Sequence, residues 1–448
     1  MLKGWRRGGD TEDKGTGGEW ERAVTTRGEG DGVVGSARRG NGAAGGAGEL
    51  DDNGNGPVQT LEAMAISFIR LPFIFTFTII IFSSSSLYVK ATTHDDSHPR
   101  PFNTIYAFGD SYTDTGNTRS NTGPNGFMFV SNLPYGRTFF HRPTNRYSDG
   151  RLVIDFVAQA LALPFLSPYL DQKADKSSGI NFAVAGSTAI IHSFFAKNNM
   201  TLNITPQSLR TQLNWFEKVL EGKGCKDKMA TPRECEAVFK DALIWVGEIG
   251  ANDYAYSFGS SVPTKTIQQL AINSFTGFLQ ALLKKGAKYV VVQGLPPTGC
   301  LTLSMYLAPS DDRDAVGCVG SPNRQSYTHN LALKAKLDGF RKQFPQSIIL
   351  YLDYYNAYLT VIKNARQHGM KELYKACCGY GGGTYNFDYF NACGSPSASS
   401  CANPSQYINW DGVHLTEAMY KAMADAFLNG TYSQPPFSYL LSQKQRSG

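Results

Sequence analysis

The sequence predicts an α/β protein, with three layers (α/β/α) around a mostly parallel central sheet. Two observations carry this. First, four short apolar runs are continuous rather than alternating, as strands covered on both faces are. They are NTIYAFG (103–109), DALIWVGEIG (241–250), KYVVVQGLP (288–296) and SIILYLDYY (347–355). Second, stretches of helical period lie between them. One starts near Thr205, one ends on Gly286, and one runs from Ser321 to its stop at Pro345. Strand alternating with helix builds a parallel sheet with helices on both faces. Such sheets bind ligands at the carboxyl ends of their strands. The first strand exits into FGDSYTDTGN, where Ser111 lies between Asp110 and Tyr112.

Composition narrows the function. The chain has 448 residues, 42% hydrophobic and 18% charged, enough for a sizeable core. Its net charge of +6 is spread out, with no basic stripe interleaved with aromatics, so nucleic acid is not an expected partner. No G-x-G-x-x-G opens a helix after the first strand, which argues against a dinucleotide cofactor. No G-x-S-x-G elbow is present either. No C-x-x-C pair or histidine cluster has metal-ligand spacing, so neither metal nor cofactor is expected.

The N-terminal part reads differently. Residues 1–56 hold 17 of the 46 glycines, among charges and with little apolar periodicity. Such a segment buries too little surface to offset its ordering entropy. A second start follows at Met64. Arg70, an apolar run from Leu71 to Phe82, and Val89-Lys90-Ala91 then have the anatomy of a secretory signal peptide. That run of 12 residues falls short of the roughly 20 a bilayer span needs. The expected organisation is therefore 1–63 as disordered or as an extension of the gene model, 64–91 as a signal peptide, and 92–448 as one domain. After cleavage no stable membrane span would remain, and the protein would be secreted.

Eight cysteines suit that route. Cys225 with Cys235, and Cys300 with Cys318, each bracket a loop. Cys377, Cys378, Cys393 and Cys401 leave three possible pairings. Asn199, Asn203 and Asn429 each begin an N-x-[ST] sequon.

Four short blocks carry the chemistry: FGDSYTDTGN with Ser111, GINFAVAGS (179–187), GEIGANDY (247–254) and NWDGVHLT (409–416). In this order they resemble the plant GDSL esterase/lipase family of the SGNH hydrolase superfamily, over about residues 101 to 435. The style of the blocks is nearest to the branch containing alkaloid and sinapate-ester hydrolases. The resemblance implies the flavodoxin-like fold of that superfamily. It also implies Ser111 as nucleophile, His414 as general base and Asp411 as the carboxylate that orients it. The oxyanion hole would be the backbone N–H groups of Ser111 and Gly186 and the side-chain amide of Asn252. The residue types fit the task. A serine hydroxyl must lose its proton during attack, and neutral imidazole accepts it near working pH. A carboxylate on the other ring nitrogen fixes the tautomer. Glycine lets backbone approach an oxyanion closely.

The sequence departs from the family name in having Tyr112 where leucine is implied, a change expected to affect packing or the cleft wall. Asp110, Asp114 and Asn117 read as loop hydrogen bonders. Asp149 and Arg151 read as parts of a buried turn. His192 reads as a solvated loop histidine rather than one lining the cleft; His141, His329 and His368 read as surface. A helix is expected to begin near His414. The reaction this implies is hydrolysis of small-molecule, lipid or cell-wall esters through an acyl-enzyme. An acyltransferase working through the same intermediate, or a non-catalytic wall- or glycan-binding glycoprotein, would share the sequence features.

Overall fold

The computed structural model describes residues 100–119, 129–200, 205–225 and 231–446. The expectations for 1–99, with His94 and His98, and the sequon at Asn203 lie outside them.

Among the described residues, the main sheet has six parallel strands: β1 (Thr104–Phe108), β2 (Ser167–Pro168), β3 (Gly179–Asn181), β4 (Ala242–Val246), β5 (Tyr289–Gln293) and β6 (Ile348–Leu352). A short strand, Ser433–Gln434, pairs antiparallel with β6 at one edge. The spatial order is Ser433–Gln434, β6, β5, β4, β1, β3, β2. The four long apolar runs thus become its central strands, as expected.

Alternation along each strand divides the core in two. Tyr106, Phe108, Ile244, Val246, Val290 and Val292 face one layer. Ile105, Ala107, Leu243, Trp245, Val291 and Leu350 face the other. Both sets are buried, which is why the strands read as unbroken apolar runs. Each large aliphatic or aromatic side chain so buried contributes about 1.5–3 kcal/mol.

Seven helices matter for the site. Helix α1 is Val153–Ala160, α2 Leu209–Gly222 and α3 Ala251–Tyr256. Helix α4 is Thr264–Lys284, α5 Gly320–Gln343, α6 Tyr354–Lys363 and α7 Glu417–Leu428. Residues of α2, α4 and α5 pack in the first core, and residues of α1, α6 and α7 in the second. The result is the three-layer arrangement.

Four disulfides staple loops at the periphery. Cys225–Cys235 and Cys300–Cys318 pair as their spacing suggested. Of the three options for the last four cysteines, Cys377–Cys401 and Cys378–Cys393 are the ones formed. This nested pair joins Trp410, Tyr135 and Tyr147 in a small third core. That core adjoins the 411–414 loop, since Cys378 N–H donates to the Trp410 carbonyl at 2.7 Å.

Two expectations are corrected here. His414 does not open a helix: α7 begins three residues later, capped by Thr416, whose hydroxyl accepts from Met419 N–H at 3.3 Å. His329 is not at the surface. It is buried on α5, with Nδ1 at 2.9 Å from the Tyr254 hydroxyl. His141 and His368 are exposed, as expected.

Candidate active site

The Ser111 loop leaves β1 through Gly109. Its φ of +144° is a backbone conformation that side chains disfavour. A buried glutamine holds this exit from both sides: Gln212 Oε1 accepts from Gly109 N–H at 3.0 Å, and its Nε2 donates to the Gly109 carbonyl at 2.7 Å. The chain then turns at once. Thr113 and Asp114 N–H donate to the Asp110 carbonyl at 3.0 and 2.9 Å, so Ser111 sits at the head of a tight turn. Asp114 fixes the rest of the loop, accepting from the N–H groups of Gly116, Asn117, Thr118 and Ala185 at 2.7–3.0 Å. Asn117 donates to the Asn181 and Ala183 carbonyls at 2.8 Å. Both residues are the loop hydrogen bonders that the sequence suggested.

Gly186 lies on the neighbouring turn after β3. Its φ is +76°, and a Cβ there would come within 2.6 Å of Thr205 Oγ1 and 2.7 Å of the Tyr256 hydroxyl. Only glycine fits. Tyr256 in turn donates to the Gly186 carbonyl at 2.9 Å.

Asn252 is in the first turn of α3 and links the two loops. Its Nδ2 donates to Asp110 Oδ2 and to the Ser187 carbonyl, both at 3.0 Å. The amide therefore touches the residue before Ser111 and the residue after Gly186. Asp253, beside it, accepts from Ala189 and Ile190 N–H at 2.8 Å. Burial raises the Asp253 carboxyl to about 7.

The remaining two candidates share one loop. Asp411 Oδ2 lies 2.8 Å from His414 Nδ1, and its Oδ1 accepts from Val413 and His414 N–H at 3.0 and 2.8 Å. Tyr135 donates its hydroxyl to Oδ2 at 2.8 Å. Burial opposes the charge of this carboxylate. The adjacent imidazole and the N–H donors outweigh that and hold Asp411 below the ordinary carboxylate range. Gly412, at φ +98°, leaves no room for a Cβ, which would come within 2.3 Å of the Phe387 ring, and its carbonyl accepts from Leu303 N–H at 2.8 Å.

Tyr112 joins the two halves. Its hydroxyl donates to the Val413 carbonyl at 2.8 Å, and its ring centroid is 5.8 Å from that of His414. The residue after Ser111 is thus bonded to the residue before His414. Ser111 is 3% exposed and His414 fully buried. The structure brings the loops that carry Ser111, Gly186 and Asn252 against the loop that carries Asp411 and His414.

Comparison with known proteins gives the family. Residues 105–427 match the family model described as GDSL-like lipase/acylhydrolase. The chain belongs to that family. A GDSL esterase/lipase of Arabidopsis thaliana is 57% identical over 82% of this chain and 95% of its own length. Acetylajmalan esterase 2 of Rauvolfia serpentina is 40% identical over 72% of this chain and 88% of its own. A solved acetylxylan esterase of Geobacillus stearothermophilus, a catalytic mutant, matches 73% of this chain and 93% of that one, at 13% identity and a TM-score of 0.32. The protein is a GDSL-type carboxylic ester hydrolase.

Three contacts of this GDSL chain were not foreseen. The Tyr112 bond to Val413 could have been suspected, since tyrosine adds a hydroxyl that the leucine of the family name lacks. Glu248 was visible as an acid ending an apolar strand, where a fully buried carboxyl is unusual. It is 1% exposed and accepts from Ala251 N–H at 3.2 Å. Tyr135 gave no local signal; its bond to Asp411 spans 276 positions. Asp149 and Arg151 are structural, as expected. Asp149 accepts from Glu417 N–H at 2.8 Å, and Arg151 pairs with the Glu417 side chain at 2.6 Å, anchoring α7. His192, expected in a solvated loop, is instead half-buried at the start of a short helix, His192–Lys197.

Proposed function

We propose that Ser111, His414 and Asp411 act as the catalytic triad of a secreted esterase. The Ser111 and Gly186 N–H groups, with the Asn252 amide, would receive the oxyanion. The observation that carries this is the buried contact of Asp411 with His414 Nδ1 at 2.8 Å, made where Tyr112 brings the Ser111 loop against the same imidazole.

The chemistry follows from the contacts. Asp411 keeps the proton on Nδ1, leaving Nε2 to take the proton of the Ser111 hydroxyl as its oxygen attacks the ester carbonyl. The alcohol leaves with that proton, and an acyl-Ser111 ester remains. Water attacks this ester by the reverse proton path, releasing the acid and restoring the serine. Asn252 reaches the oxyanion by exchanging its Ser187 bond for one to substrate, while the Asp110 bond keeps the amide aligned. The preferred acyl group is short. That reading is supported by relatives at 38–40% identity whose names specify an acetyl ester.

Export is supported by the four disulfides and by the exposed side chains of Asn199 and Asn429. Among the described residues no helix is long and apolar enough to cross a membrane.

Kinetics on acetyl, long-chain and hydroxycinnamoyl esters test the proposal. Ser111→Ala and His414→Ala should each lower kcat on the preferred ester by about 10⁴ or more, with the protein still folded. A His414→Ala variant keeping a tenth of wild-type turnover would contradict the base assignment. Product analysis with added alcohol separates the reactions: free acid as the main product supports hydrolysis, and a new ester identifies an acyltransferase.

A further inference from the structure

A pair of carboxyls lies directly behind the oxyanion asparagine. Asp110 and Glu248 leave adjacent parallel strands, β1 and β4, and each is only 1% exposed. Their side chains are hydrogen-bonded to each other. Two carboxylates in that contact, without solvent, cannot both be ionised, whereas one proton between them makes the contact favourable. Around the pair the donors are specific. Asp110 accepts from Tyr112 N–H at 3.1 Å and from Asn252 Nδ2 at 3.0 Å. Glu248 accepts from Ala251 N–H, and its own N–H donates to Gln293 Oε1, both at 3.2 Å. The pair thus clasps the nucleophile loop and the start of α3.

We propose that Asp110 and Glu248 hold one proton between them, and that this shared proton positions Asn252 and limits the charge beneath the oxyanion. The proposal rests on the reading of Ser111 as nucleophile. Asp110 and Glu248 are positioning residues, acting through Asn252 and the Ser111 loop. With one proton the pair carries a single negative charge, and Asp110 can hold the amide in plane. Without it, two charges repel each other and face the anion that develops on the substrate. Catalysis then falls although the triad is intact. Burial, then the neighbouring Glu248, pushes the Asp110 carboxyl well above its ordinary range, and burial raises Glu248. The other ionisable groups facing the pair are Asp253, His414, Tyr112, Tyr354 and Tyr420.

A serine triad on its own gives an acid limb, because its histidine must be neutral. The shared proton adds an alkaline limb. Wild-type kcat, followed by pH-stat on a short-chain ester, should fall on the alkaline side as one ionisation, about tenfold per pH unit beyond it. Glu248→Gln keeps a hydrogen-bonding partner for Asp110 but has no proton to lose in this range. Its alkaline limb should vanish while the acid limb remains. A wild-type profile without an alkaline limb, or the same limb in both proteins, overturns the proposal. Fluorophosphonate labelling separates this from the underlying reading. No label at Ser111 in wild type overturns the nucleophile assignment and the proposal together; label at Ser111 with superimposable limbs overturns the proposal alone. Should Glu248→Gln fail to fold, wild type carrying ¹³C-carboxyl glutamate gives the second reading. The same infrared measurement is made with ¹³C-carboxyl aspartate. A protonated-carboxyl band lost across the alkaline limb is expected in one of the two spectra; its absence from both overturns the proposal.

Discussion

Both amide hydrogens of Asn252 are committed, one to Asp110 and one to the Ser187 carbonyl. The residue is therefore both a donor and a brace between two loops. Asn252→Ala should lower kcat by about 10²–10³ with a smaller change in KM, the usual cost of an oxyanion donor. Steady-state kinetics would check it; a rise in KM with kcat intact would mean Asn252 serves binding only. Tyr112 acts by its hydroxyl. Tyr112→Phe keeps the ring packed against His414 and removes the bond to Val413. It should cost about 1 kcal/mol in urea unfolding. On the order of tenfold should be lost in kcat, within the 10² that a small misplacement can cause. Unchanged kcat would show that the tether does not set the geometry. Of these residues, the sequence marked Ser111, Gly186, Asn252, Asp411 and His414 as candidates because each sits in a compact block. Tyr135 and the bond to Val413 were not legible, because their partners lie hundreds of positions away.

Elements position these side chains, and α5 shows how. It carries His329 under Gly250, where a Cβ would meet the imidazole at 3.1 Å, just before α3 brings Asn252 into place. Burial pushes the His329 imidazole down to about 4 from its ordinary 6.5. The folded state thus prefers the neutral ring. Its contribution is complete above 6.5 and is lost as pH falls through about 4, a swing on the order of 3 kcal/mol. His329→Asn keeps an acceptor for the Tyr254 hydroxyl and removes the titration. Urea midpoints near neutral pH and near pH 4 should differ less in that variant than in wild type. An equal difference would remove His329 from the acid response. The strands were legible because both faces are buried, leaving long apolar runs. β2 and β3 were hidden by their brevity and by Pro168 and Asn181. His329 misled because α5 is polar around it, and only packing against Gly250 reveals the burial.

At the scale of the molecule, the parallel sheet puts the exits of β1, β3 and β4 side by side. Those exits carry Ser111, Gly186 and Asn252, so the order of strands brings the proposed nucleophile and oxyanion donors to one edge. The proposed base, His414, arrives separately, on a loop held by Phe387, Leu303 and the nested disulfides. The alternation of strand and helix made the layers legible. The pairing of the last four cysteines was not, because sequence spacing alone leaves it open. The central claim is that these separate elements activate one serine. Mass spectrometry of the native protein after reaction with a fluorophosphonate tests it most directly. The account predicts a single adduct, on Ser111, absent from Ser111→Ala and strongly slowed in His414→Ala. An adduct on another residue, or a folded protein that takes no label, would contradict it.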